Sequence, residues 1–144
     1  MDNPTKQALL LKQGLDQQAD FLVRLAEKAL PDERMQQLKG KLGLAQFNNL
    51  IGVALESGSP LVVSNWLRYQ MGRKESNVRM WRESGLGDQV VKTIEQGMKD
   101  SVEGIAMYAY GEPSPDQLRV VHIALVRRYL GYLKRWYVAK GGQT

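Results

Sequence analysis

The sequence predicts an all-α fold, a bundle of about five to six helices closed by a long basic helix. Apolar residues recur at spacings of three and four, no window alternates apolar and polar residues long enough to make a strand, and Gly, Pro and Ser clusters separate the periodic stretches. At 144 residues, 43% hydrophobic and 24% charged, the chain suits one domain, 1–144, with a single core.

The first helix is expected from about Thr5 to Ala29, with Leu11, Leu15, Ala19, Leu22, Leu25 and Ala29 on one stripe and Pro31 ending it. A short helix over Asp32 to Leu38 completes an N-terminal helical segment, 1–40, and Gly40-Lys41-Leu42-Gly43 breaks the chain before the rest, 41–144. A helix from Leu44 to Ser57 should bury Phe47, Leu50, Ile51, Ala54 and Leu55. Ser59 reads as the cap and Pro60 as the first turn of the next helix, whose stripe of Val62, Val63, Trp66, Leu67 and Tyr69 extends to about Arg73. Residues 74–87 are polar and contain Gly85-Leu86-Gly87, so they read as a loop with one helical turn around Trp81.

Asp88 to about Ala109 reads as one long helix with Val91, Ile94, Met98, Val102, Ile105 and Ala109 inward. Gly97, Ser101 and Gly104 form a small-residue strip that another helix could approach closely. Gly111-Glu112-Pro113-Ser114-Pro115 then closes that helix and opens the last, Asp116 to about Ala139, roughly 36 Å long at 1.5 Å per residue. Leu118, Val121, Leu125, Tyr129, Leu133 and Trp136 share its apolar face, and Arg127, Arg128, Lys134 and Arg135 occupy the remaining arc with Ala124 and Gly131 between them.

The chemistry of catalysis is thinly represented. There is no cysteine, which excludes disulfides, thiolate metal sites and cysteine nucleophiles, and the single imidazole, His122, is flanked one turn away by Leu118 and Val126. Gly85-Leu86-Gly87 lacks the third glycine of a phosphate loop, and Asp88 beside it would repel a phosphate. Asp88, Glu95 and Glu103 alternate with Lys92 and Lys99 as on a solvated helix rather than in a metal site. No catalytic residue, metal or cofactor is expected. No apolar run approaches the roughly 18 residues of a membrane span and the N-terminus lacks a secretory signal, so the expectation is a cytoplasmic protein without membrane contact.

Charge is unevenly distributed. The net +5 resolves into 0 for residues 1–59, +3 for 60–85, −4 for 86–116 and +6 for 117–144. Arg127 and Lys134, like Arg128 and Arg135, lie seven residues apart and form a two-by-two patch across two helical turns. Arg68, Arg73, Lys74, Arg79 and Arg82 form a second cluster, interleaved with Trp66, Tyr69 and Trp81. Several Lys and Arg on one surface suffice to bind a nucleic-acid backbone, so both clusters are candidate nucleic-acid contacts. The alternation of sign also suggests head-to-tail self-association, with Asp88, Glu95 and Glu103 of one copy facing a basic surface of the next. Met80, Trp81 and Leu86 would supply the apolar part of that interface; pairing within one chain explains the alternation equally well.

Three stretches together resemble a known family. Gln46-Phe47-Asn48-Asn49-Leu50, then Trp66-Leu67-Arg68-Tyr69-Gln70-Met71-Gly72-Arg73, then Arg128-Tyr129-Leu130-Gly131-Tyr132-Leu133-Lys134 before Gly141-Gly142 resemble the small subunit of type III CRISPR effector complexes over about the last hundred residues. The resemblance implies a non-catalytic helical bundle of an antiviral ribonucleoprotein, stacked with other effector-complex subunits and touching the backbone of the duplex between guide RNA and target RNA. It implicates Arg68, Arg73 and Lys134. The family often has Thr and Arg where this chain has Leu44 and Asn48, which removes a basic contact from that helix. A helical DNA-binding regulator and a protein-interaction adaptor without nucleic acid are the alternatives.

Overall fold

Asn3 opens the first helix. In the computed structural model, which describes residues 3–143, its Oδ1 accepts from the amides of Thr5 and Lys6 at 2.9 and 3.2 Å, and Pro4 takes the first helical position. The helices that follow are α1 (Pro4–Gln17), α2 (Ala19–Ala29), α3 (Asp32–Leu38), α4 (Leu44–Glu56), α5 (Pro60–Gly72), α6 (Met80–Glu83), α7 (Leu86–Lys92), α8 (Lys99–Tyr110) and α9 (Pro115–Ala139), with a π-helical segment, Thr93–Gly97, between α7 and α8. The fold is all-α, and no strand occurs among the described residues. No described helix is long and apolar enough to cross a membrane.

Two expected long helices are broken, each for a packing reason. The first breaks at Gln18, whose amide reaches back to the Leu15 carbonyl at 3.1 Å in a tighter turn. The break lets α1 pack on α8 while α2 packs on α9. The hydroxyl of Ser101 in α8 donates to Gln18 Oε1 at 2.8 Å and holds the junction. The close approach falls at Gly14 of α1, where an added Cβ would stand 3.0 Å from Ile105, and not along Gly97 and Gly104, which are exposed.

The second break is the π-helical segment, followed by Met98 at φ −105° and ψ 0°. His122 Nε2 lies 2.7 Å from the Ile94 carbonyl there, and because a carbonyl only accepts, the imidazole donates. Val91, Ile94, Met98, Val102, Ile105 and Ala109 are nonetheless all buried, as their spacing predicts.

The core is organised around α9, which packs on α2, α4 and α8 and touches α1 and α5. A complete capping box starts it: Ser114 Oγ accepts from the Gln117 amide at 3.2 Å, and Gln117 Oε1 accepts from the Ser114 amide at 2.9 Å. Val121, Leu125, Tyr129 and Leu133 are fully buried on its inner face. Tyr129 has no hydrogen-bond partner for its hydroxyl among the described residues, and burial pushes its pKa up to about 12. Arg34 of α3 ties three elements, donating to the carbonyls of Ala29 at 2.8 Å and Ser84 at 3.0 Å.

Three expected core residues lie outside. Leu55 and Tyr69 are about two-thirds exposed and Val62 is half exposed, because the inward stripes run through Phe47, Leu50 and Ala54 in α4 and through Val63, Leu67 and Gln70 in α5. Ser59 does not cap α5 with its side chain; its amide donates to Ser57 Oγ at 3.1 Å.

Candidate nucleic-acid interface

Arg127 and Arg128 of α9 turn to different helices, and Lys134 lies outside the residues that line the cleft between them. Arg127 turns toward α4 and donates from Nε to the Ala54 carbonyl at 2.7 Å and from Nη2 to the Ser57 carbonyl at 3.2 Å. These carbonyls lie at the C-terminal end of α4, where they have no helical partner and where the helix dipole favours a cation. Arg128 turns toward α1 and donates from Nη1 to Asp16 at 2.9 Å. Asp16 also accepts from Lys12 at 2.7 Å, and the two cations, Lys12 foremost, hold its carboxyl below the usual carboxylate range.

That cleft, of about 260 Å³, is lined by Arg127, Arg128, Gly131, Tyr132 and Arg135. Gly131 lies on its floor, where the space is open: an added Cβ would meet nothing within 4 Å. Arg135 is exposed and stands 5.8 Å from the centre of the Tyr132 ring, a cation–π distance. Neither Lys134 nor Arg135 has a carboxylate partner among the described residues, and the partners of Arg127 are uncharged carbonyls. Asp16 therefore offsets one of the four charges. What remains is a cationic trough with an aromatic wall.

The second cluster is more strongly compensated. Arg68 makes a two-pronged ion pair with Glu95 at 2.8 and 2.9 Å, which holds the Glu95 carboxyl below its usual range and raises the guanidinium pKa. Arg73 bonds Gln70 and Glu75 and lies 5.8 Å from the Tyr69 ring. Arg79 pairs with Glu83 at 3.5 Å, and Arg82 donates to the Met71 carbonyl at 3.2 Å. Lys74 alone among the five is exposed without an ion-pair or hydrogen-bond partner among the described residues.

The apolar part of the expected self-association surface is instead core. Trp81 and Leu86 are fully buried and Met80 nearly so, because the single turn of α6 rotates Arg79, Arg82 and Glu83 outward while Trp81 packs on Phe47 and Trp66 at ring distances of 5.4 and 6.5 Å. A large indole set among polar residues is buried by one helical turn, and spacing over so short a segment does not reveal it. Asp88 and Glu103 remain exposed, whereas Glu95 joins the acidic and basic segments within one chain. Sequence reasoning also missed the anchoring of Arg127 and the role of Arg34, since a guanidinium's carbonyl acceptor across the fold leaves no local pattern. Comparison of the chain with protein-family models, with curated proteins and with solved structures finds no match.

Proposed function

We propose that this chain is a non-catalytic RNA-binding subunit of a ribonucleoprotein, gripping the phosphate backbone in the α9 cleft, as the resemblance to type III CRISPR small subunits suggests. The observation that carries the reading is the cleft itself: Arg127, Arg128 and Arg135 surround a position that glycine keeps open, with one carboxylate nearby. Fixed guanidiniums position a polyanion without reading its sequence, and a trough floored by glycine admits the backbone to the helix surface. The paired cluster of Arg68, Arg73 and Arg79 contributes less, because each of its three guanidiniums holds a carboxylate, whereas in the cleft only Arg128 does.

The test is anisotropy of a labelled RNA titrated with the protein at several salt concentrations. Three phosphate contacts give a slope of about −2 for log affinity against log salt. Affinities for unrelated sequences of mixed composition should agree within a few-fold. Arg135→Glu should abolish binding and leave the helical circular dichroism unchanged. Wild-type binding by that variant, or an affinity indifferent to salt, refutes the proposal.

A further inference from the structure

On the far side of α4 from Arg127 a polar groove of about 500 Å³ runs between α4 and α5. Five carboxamides line it: Gln46, Asn48, Asn49, Gln70 and Asn77. Carboxamides at such density are unusual on a helical surface whose other polar residues are mostly charged. Each offers a donor pair and an acceptor in one plane, the pattern that base edges present in return.

Gln46 is the distinctive member. It is 8% exposed, yet its side chain makes no hydrogen bond with any described residue, and it faces the groove. Its stem is buried while its carboxamide stays open to solvent at the groove, where a ligand can reach it. Gln70 is similarly buried; its Oε1 accepts from Arg73 at 2.9 Å, which leaves its amide nitrogen free for a ligand.

Trp66 forms the aromatic wall, and it is held from behind. It meets Trp81 edge-on at 6.5 Å, Trp81 meets Phe47 at 5.4 Å, and Phe47 stacks on Tyr137 at 4.3 Å. The half-buried outer ring of this ladder borders the groove, and its indole N–H has no partner among the described residues. Glu56 and Arg73 also line the groove; the carboxylate can accept from an exocyclic amine, and the guanidinium is already engaged by Gln70 and Glu75.

We infer that the α4–α5 groove is a base-reading site, taking one unstacked nucleobase with an exocyclic amine, adenine foremost, against Trp66 and the carboxamide of Gln46. Asn and Gln carboxamides pair with adenine N6 and N7 bidentately, and unstacked bases of single-stranded RNA are read by aromatic stacking and edge hydrogen bonds. The inference rests on the RNA-binding reading and adds what the α9 cleft lacks, a sensitivity to base identity at one position. One helix, α4, borders the groove and also receives Arg127 from the cleft.

The experiment is a nitrogen-15 correlation spectrum of the full chain titrated with AMP, CMP, GMP, UMP, inorganic phosphate and N-methylacetamide. Gln46→Met, of similar volume, identifies the Gln46 signal, and the exposed Asn49→Ala supplies a second variant that leaves the core untouched. Saturable shifts at the Trp66 indole and the Gln46 carboxamide are expected, strongest for AMP, at least five-fold weaker for UMP and weakened in both variants. The Trp136 indole, which donates to the Leu30 carbonyl at 3.3 Å, should not move. Equal shifts from all four nucleotides or from phosphate alone, shifts from N-methylacetamide only, or no shift at all overturn the inference. Arg135→Glu should leave these shifts intact, so loss of RNA binding in that variant reports on the cleft and not on the groove.

Discussion

Gly131 lies within a 25-residue helix at a half-buried position with no side chain near its would-be Cβ, and that combination separates stability from binding in one residue. Glycine inside a helix costs about 1 kcal/mol relative to alanine through backbone entropy. Gly131→Ala meets no atom within 4 Å, so it should recover most of that amount and raise the melting temperature by about 4 °C in a domain of this size. Gly131→Leu keeps the helical gain but extends its side chain into the 260 Å³ trough between Arg127, Arg128 and Arg135. Its thermal stability should match or exceed that of the wild type, while RNA affinity falls by ten-fold or more and the salt slope shrinks by about one contact's worth, roughly 0.7. Thermal melts and anisotropy on the same preparations measure both. A destabilised Gly131→Ala would show that the glycine is there for packing, and a Gly131→Leu variant that binds RNA normally would place the interface elsewhere.

Other expectations follow from the same contacts. Arg127→Met should cost about 1.5–3 kcal/mol by removing charged donors from the α4 carbonyls, whereas Arg135→Met should leave denaturant midpoints within about 0.5 kcal/mol of wild type. Trp81→Ala, at the centre of the aromatic ladder, should destabilise the fold by about 3–5 kcal/mol in chemical denaturation; a mild effect would refute its burial. The Glu95 carboxyl is held below its ordinary value of 4.5 by Arg68, so its contribution to stability is fully present above that pH and is lost as pH falls through the lowered folded value. Glu95→Gln should flatten part of the acid limb of a stability–pH curve and change little at neutral pH.

The helical periods of this chain are legible because apolar spacing is a local property that tertiary packing obeys. Even where the long central helix breaks into α7, a π-helical segment and α8, its inward residues are those the spacing selects. The breaks themselves are not legible. Gln18 and Thr93–Gly97 carry no proline and no glycine cluster, and both depart from the α-helix where neighbouring helices and the donor from His122 require it. The site shows the same division. The two-by-two basic arc of α9 follows from a helical wheel, but which guanidiniums hold carboxylates or carbonyls, and which stay available, depends on Asp16, Glu95 and the end of α4 arriving from elsewhere in the chain. Trp81 marks the limit most clearly, since a four-residue helix is too short for a period and its burial is decided by Phe47 and Trp66.

The position of α9 in the chain bears on how the protein is made. Its helical partners α1, α2, α4, α5 and α8 all precede it in the sequence, so a ribosome releases every wall of the core before the pillar they lean on. At about 5–20 residues per second, α2 waits several seconds for the helix that covers it. During that interval Leu22, Ala26, Phe47 and Leu50, all fully buried in the finished fold, have no complete surface to bury against. Nascent chains halted before Pro115 should accordingly be sticky and quickly degraded, and the cell should hold either the whole bundle or nothing. An RNA already in place cannot rescue such a fragment, because the cationic trough arrives on the same late helix that closes the core.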